Sequence, residues 1–209
     1  LLGSFLAALF ASMAAIGYYF DRSLPAGLRR IMQSTGQAPT DFIASTGFGP
    51  TLANMALTGM ISMSYVVLVG GDLNGPVIGA ILTIAGFAAF GKHPRNIVPI
   101  MLGVFVASML KDWSANDPSA VLAALFGTTL APIAGLCGGH WGIVAGLVHS
   151  SAALSVGSLH AGLNLYNNGF AAGIVAAVLV PVIIAIQGKR GEPLPPPSDG
   201  PPKPPNGER

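Results

Sequence analysis

Residues 69–87, VGGDLNGPVIGAILTIAGF, decide how the chain is interpreted, because they end one apolar run and immediately begin another. The polar interruption covers residues 70–76, and two interpretations of it stay open. It is either a short turn between two helices, in which Asn and Gly supply turn chemistry, or the broken backbone of a helix that lines a pathway for a small solute.

The composition of the whole chain indicates a membrane setting for both runs. Of its 209 residues, 52% are hydrophobic and only 9% are charged, with a mean hydropathy of +0.64. A soluble domain carries about a quarter charged residues, so this chain lacks the polar surface that it would need in water. The lipid bilayer is therefore the first expected partner. The ten Lys and Arg residues form no basic stripe, which argues against nucleic acid.

Apolar runs of about 20 residues predict the membrane spans. Residues 1–187 are expected to form one transmembrane domain, an all-α polytopic helix bundle of about seven spans. An internal repeat with interrupted helices is an alternative within this class. The predicted spans lie near 1–20, 48–70, 73–91, 96–111, 119–137, 141–159 and 169–187.

The placement of charge predicts the orientation of this bundle. If all seven segments cross, one side of the membrane carries Arg22, Arg29, Arg30, Lys92, Arg95, Lys189 and Arg190. The other side carries Lys111 together with Asp72, Asp112 and Asp117. Because loops rich in Lys and Arg stay in the cytoplasm, the basic side and the C-terminus are expected to be cytoplasmic.

Two polar segments lie outside the predicted spans. Residues 21–47 are expected to be a cytoplasmic connection with at most a short interfacial helix around residues 28–33. Residues 188–209 form a Pro-rich tail, which is expected to be disordered and to act as a tether or as a ligand for an aromatic-lined groove. The chain begins at Leu1 without a methionine, which indicates processing or a longer parent.

Small residues at four-residue spacing predict close helix packing. Gly142, Gly146 and Ser150 form such a stripe, and Gly103 and Ala107 repeat it. Membrane helices associate through small residues, because the bilayer supplies no hydrophobic drive between them. The stripes are therefore expected to serve structural packing.

Polar residues within or beside the spans are the candidates for function, because an unsatisfied polar group in hydrocarbon is strongly unfavourable. The segments that contain Asn74 and Asn164 share the pattern Leu-Asn-x4-Gly at an offset of 90 residues. A rival offset of 83 aligns the two GFAA stretches instead, so a repeat remains open. A solute pathway is predicted with an outer mouth formed by Asp72, Asn74, His160, Asn164, Asn167 and Asn168, and with Asn54 and His149 deeper.

Two long segments resemble a known family. GGDLNGPVIGAILTIAGFAAFGKHPRNIVPIMLGVF and LHAGLNLYNNGFAAGIVAAVL look like signature segments of a bacterial family of multi-pass inner-membrane proteins of unknown function. The resemblance runs from about residue 47 to 186 and corresponds to the C-terminal half of that family. It implies a location in the bacterial inner membrane and brings no assigned activity.

A looser likeness, limited to architecture, is to urea transporters and their Asn-Pro-x-x-Gly signature. Here a glycine is inserted between Asn74 and Pro76, and the segment after Asn164 lacks the proline.

These observations predict a channel or transporter for a small polar solute or ion. The alternative is a non-catalytic structural or accessory subunit, present as a homo-oligomer or within a larger membrane complex. An enzyme is not expected, because the four histidines are scattered and no spacing matches HExxH or GxSxG. No cofactor and no metal are predicted, since the single cysteine, Cys137, excludes a multi-cysteine site.

Overall fold

Helices make up all of the regular secondary structure in the computed structural model, which describes residues 1–21, 24–156 and 164–187. The fifth apolar run is divided by a 3₁₀ turn at Thr128–Leu130. In chain order the α-helices are α1 (Leu2–Phe20), α2 (Leu24–Gln33), α3 (Phe42–Thr46), α4 (Phe48–Leu68), α5 (Gly75–Phe87), α6 (Pro94–Leu110), α7 (Pro118–Gly127), α8 (Ala131–Cys137), α9 (Gly139–Ser155) and α10 (Asn164–Ile186).

In the part of the chain that the structure describes, four helical segments are long and apolar enough to cross a membrane, which indicates a membrane protein. They are Leu2–Phe20, Phe48–Leu68, Pro118–Cys137 and Leu165–Ile186. The apolar helices α5 and α6 are shorter, with 13 and 17 residues. At 1.5 Å per residue α5 covers about 20 Å, less than the ~30 Å of a hydrocarbon core. The helical bundle is as predicted, whereas seven crossings remain a prediction.

The interruption at residues 70–76 is a turn between α4 and α5. Gly70 has a φ of +75°, and Gly71 N–H donates to the carbonyl of Val66 at 2.8 Å, which is the Schellman arrangement for ending a helix. Asn74 then caps α5, because its side-chain oxygen accepts from the N–H of Val77 at 3.1 Å. The turn interpretation of this stretch therefore accounts for its glycines and for Asn74.

Glycines bring α6 and α9 into backbone contact. A Cβ atom on Gly103 would overlap the carbonyl of Ile143, and one on Gly146 would overlap the carbonyl of Ile100. A Cβ on Gly142 would also lie within 3 Å of Pro99. The predicted role of this stripe in close packing is confirmed.

The connection before α4 is more structured than its sequence indicates. The predicted short helix is α2, which begins at Leu24, and a second helix, α3, follows it. Between α2 and α3, Gly36 contacts Gly91 and Thr35 contacts Gly135. These contacts leave no room for a Cβ atom on any of the three glycines. This segment of residues 34–42 is therefore packed against the protein rather than solvated.

The shortness of α5 explains why residues 34–42 can occupy this position. The N–H of Phe42 donates to the carbonyl of Ala89, just beyond the end of α5, at 3.0 Å. Phe42 is fully buried there, and Thr40 is buried as well. The segment thus fills space that a longer α5 would occupy. We call this end of the bundle, which carries Arg29, Arg30, Lys92 and Arg95, the basic end.

Gly146→Ala is expected to destabilise the protein, because the added methyl group has to displace the backbone of Ile100. Overpacking of this kind costs about 1–3 kcal/mol. Gly79→Ala is the matched control, since a Cβ there meets nothing within 4 Å and alanine favours the helix. Thermal unfolding in detergent should show a lower Tm for Gly146→Ala only, and equal Tm values for both variants would contradict the proposed contact.

Candidate functional site

The break between α7 and α8 is dictated by a proline. Pro132 has no N–H to donate to the carbonyl of Thr128, four residues earlier, and its ring would clash with that carbonyl in a continuous helix. The chain adopts the tighter 3₁₀ turn instead, and Ala131 N–H bonds the carbonyl of Thr128. Thr128 is fully buried, so the break places a hydroxyl group midway along this 20-residue apolar segment.

Lys92 binds the hydroxyl group at the break. Its Nζ donates to Thr128 Oγ1 at 2.8 Å, and Thr128 Oγ1 donates its own proton to the carbonyl of Leu125 at 2.6 Å. The ammonium group also lies 5.4 Å from the centroid of the Phe87 ring. Burial lowers the pKa of Lys92 to about 8, because a charged ammonium group loses solvation inside the protein.

His149 lies directly beside the other flank of the break. A Cβ atom on Gly127 would be 2.7 Å from His149 Cδ2, so the absence of a side chain there makes room for the ring. His149 Nε2 lies 3.0 Å from Asn168 Oδ1, and both residues are buried. An amide oxygen can only accept, so Nε2 carries the proton in this pair. Nδ1 is then an acceptor and has no hydrogen-bond partner among the described residues.

These groups form two hydrogen-bonded pairs on either flank of the break. Lys92 bonds Thr128 from the basic end, and His149, whose ring occupies the space beside Gly127, bonds Asn168 near the start of α10. We call Lys92, Thr128, His149 and Asn168 the polar track. Other buried hydroxyls differ from it, because Thr58 and Ser62 bond carbonyls within their own helix, α4.

Two cavities lie at the basic end. The larger, of about 370 Å³, is lined on its polar side by Ser34, His93, Arg95 and Asn96. His93 Nε2 lies 3.1 Å from the carbonyl of Ser34, which fixes residues 34–42 to the start of α6. The smaller, the Lys92 cavity, has a volume of about 210 Å³. It is lined by Gly36, Ala38, Phe87, Phe90, Gly91, Lys92, Thr128, Thr129, Ala131 and Pro132.

Only part of the sequence-predicted pathway is brought together. His149 and Asn168 are bonded to each other, and Asn167 is buried beside them in α10, which begins five residues before the predicted span. Asp72 and Asn74 are exposed at the start of α5. His160 lies outside the described residues, and of Asn164 only the helical backbone is described.

Asn54 serves the end of α5 that lies opposite Asn74. Its Nδ2 donates to the carbonyls of Ala88 and Lys92, both at 2.8 Å. Its buried Oδ1 has no hydrogen-bond partner among the described residues. Asn54 and Asn74 are therefore separated by the length of α5 and do not share one cavity. The contact instead holds the backbone of Lys92 in position.

The sequence does not mark Lys92, Gly127 or Thr128 as site residues. Lys92 lies between two apolar runs, as an ordinary loop charge does, and its neighbours in the sequence do not indicate that its side chain points inward. A signal for the break did exist, since Pro132 lies four residues after Thr128 within an apolar run. Within the described part of the chain, no group of three His, Cys, Asp or Glu residues is placed to hold a metal ion.

The lowered pKa of Lys92 predicts a rise in stability with pH. The unfolded chain, with the lysine pKa at 10.5, binds a proton more readily than the folded chain, with its pKa of about 8. The contribution of Lys92 to the free energy of unfolding should therefore increase from about pH 8 towards pH 10.5 and stay constant below pH 8. No other ionisable residue lines the cavity among the described residues.

The measurement is Tm between pH 7 and 10 for the native chain and for Lys92→Met. The rise attributable to Lys92 should disappear in the variant, and parallel curves would show that the lysine is not desolvated.

The comparisons with known proteins identify a family. The family DUF1576, described as "Protein of unknown function (DUF1576)", matches residues 20–185. No curated protein and no solved structure matches the chain.

Proposed function

The chain belongs to the DUF1576 family of unknown function, and we propose that it is a channel or transporter for a small polar solute or ion. The polar track is the proposed pathway. The hydrogen bond between Lys92 and Thr128 at the break of the fifth apolar segment is the observation that carries this proposal.

A half-buried cation at a broken helix loses part of its solvation, which is energetically unfavourable. Ionisable residues within apolar helix bundles are rare, and they are typical of solute and ion pathways. Transporters place their binding sites at discontinuous helices, where unwound backbone and polar side chains face the solute. A short 3₁₀ stretch inside a helix is also typical of a functional hinge. A purely structural bundle gains nothing from a lysine at this position.

His149 supplies a second polar contact on the same route. In the tautomer fixed by Asn168, its Nδ1 is an acceptor available to a proton or to a donor group of a solute.

Residues 34–42 favour a gated transporter over an open pore. Gly36 and Ala38 line the Lys92 cavity, and Ser34 lines the larger one. The segment therefore forms part of the wall of both cavities, and its contact with Gly91 is made by backbone alone.

Solute flux into proteoliposomes tests the proposal. We expect stopped-flow light scattering with urea, glycerol, acetate and butyrate to show uptake of at least one probe above that of empty liposomes. Thr128→Val, which removes the hydroxyl group and keeps the shape, should lower this uptake at least fivefold. Thr83→Val is the matched control, because Thr83 is exposed, bonds a carbonyl of its own helix and lines neither cavity.

Uptake that equals the empty-liposome value for every probe, or an unchanged rate in Thr128→Val, would contradict the assignment of the polar track as the solute pathway. If the chain also purifies only with a larger membrane partner, the accessory-subunit alternative takes its place.

The variant Asn74→Ser distinguishes a role of Asn74 in binding solute at the outer mouth from its role in capping α5. Serine caps a helix as asparagine does but lacks the amide that would bind a solute. Because the Asn74 side chain already accepts from Val77 N–H, we expect Asn74→Ser to retain both its Tm and its uptake. Asn74→Leu cannot cap α5 and should have a lower Tm. A loss of uptake in Asn74→Ser at unchanged Tm would instead support the outer mouth of Asp72 and Asn74.

A further inference from the structure

The positive charge of Lys92 is not balanced by a carboxylate among the described residues that line its cavity. An ammonium group has three donors, and the protein supplies it with one hydroxyl oxygen and one ring face. The hydroxyl oxygen can only accept here, because its own proton is committed to the carbonyl of Leu125. No Asp or Glu lines the cavity among the described residues. Two donors therefore remain without a partner among the described residues.

Lys92 also differs from the other basic residues of the described part. Arg29, Arg30, Arg95 and Lys111 are all exposed, whereas Lys92 is half-buried. Exposed cations are balanced by water and counterions. A cation drawn into a cavity gains most from an anion that enters with it.

Most of the other side chains that line the Lys92 cavity are apolar, and the hydroxyl groups of Thr128 and Thr129 are its other polar side-chain groups. Phe87, Phe90, Ala131 and Pro132 face it, and the two phenylalanine rings are also more than half exposed, at 54% and 57%. The cavity has a volume of about 210 Å³ and combines these apolar side chains with one ammonium group.

We propose that the Lys92 cavity binds an anionic oxygen group, a carboxylate or a phosphate, attached to an apolar chain. This inference rests on the proposed function and names the substrate class of the same site. The anionic oxygens accept from Lys92 Nζ, and the chain packs against Phe87 and Phe90. The same chemistry comes from two sources, a short-chain carboxylate in solution or the headgroup of an anionic lipid.

Thermal unfolding of the full chain in phosphatidylcholine nanodiscs tests this site. Hexanoate should raise Tm by several degrees, because a ligand that binds only the folded state stabilises it. Hexanamide has the same body without the charge and should not raise Tm. A parallel arm replaces a fifth of the lipid with phosphatidylglycerol and omits hexanoate, so a Tm rise in that arm assigns the site to a lipid headgroup.

Variants decide whether Lys92 is responsible. Lys92→Gln should raise the half-saturating concentration of hexanoate, or of the anionic lipid, at least tenfold, and Lys92→Arg should largely restore it. Lys111→Gln is the matched control, since Lys111 is exposed and does not line the cavity. The inference is overturned if neither anion raises Tm, if hexanamide acts equally, or if Lys92→Gln, folded with a native-like Tm, responds as the native chain does.

The two proposals fail separately. Binding of hexanoate without uptake in liposomes would keep the anion site and remove the transport function. Uptake of urea or glycerol with no anion response would keep transport and remove the anion site.

Discussion

The backbone N–H that Pro132 lacks is the constraint on which the site depends. In an apolar segment every backbone carbonyl needs an internal partner, because no water is available to replace it. Without an N–H at position 132, the carbonyl of Thr128 turns to Ala131 and the helix tightens into a 3₁₀ turn. That single local adjustment exposes a hydroxyl to Lys92 on one flank and, through Gly127, gives His149 its space on the other.

A second constraint is length, which links α5 to the connection before α4. With 13 residues α5 is about 10 Å too short for a hydrocarbon core. Residues 34–42 pack against the end of this short helix, where the N–H of Phe42 bonds the carbonyl of Ala89. The polar sequence of this connection thus reflects local backbone bonding, such as the bond from Gly36 N–H to Ser34 Oγ, more than exposure to water.

The features that could be predicted from the sequence are those encoded within a few residues. The end of α4 and the start of α5 follow from Gly70, Gly71 and Asn74, whose roles in turns and caps are local. The contact at Gly103 and Gly146 follows from residue size alone. Lys92 could not be predicted, because the direction of its side chain depends on where the break in another segment lies.

The environment of the asparagines at the start of α10 also could not be predicted from the sequence. Polarity placed them in a loop, whereas helix α10 begins at Asn164 and buries Asn167 and Asn168. A buried amide is acceptable there only because a partner on α9, His149, satisfies Asn168. That pairing joins residues 19 positions apart, and no periodicity within either helix reveals it.

The close contact between Gly36 and Gly91 restricts the substitutions that these two positions can accept during evolution. Both residues have positive φ, at +69° and +116°, and each touches the backbone of the other. In most packed pairs a larger residue on one side is accommodated by a smaller one opposite. Here neither partner has a side chain left to remove, so no compensating substitution exists. The two positions are therefore expected to stay glycine together, or to be lost together with the packing of residues 34–42.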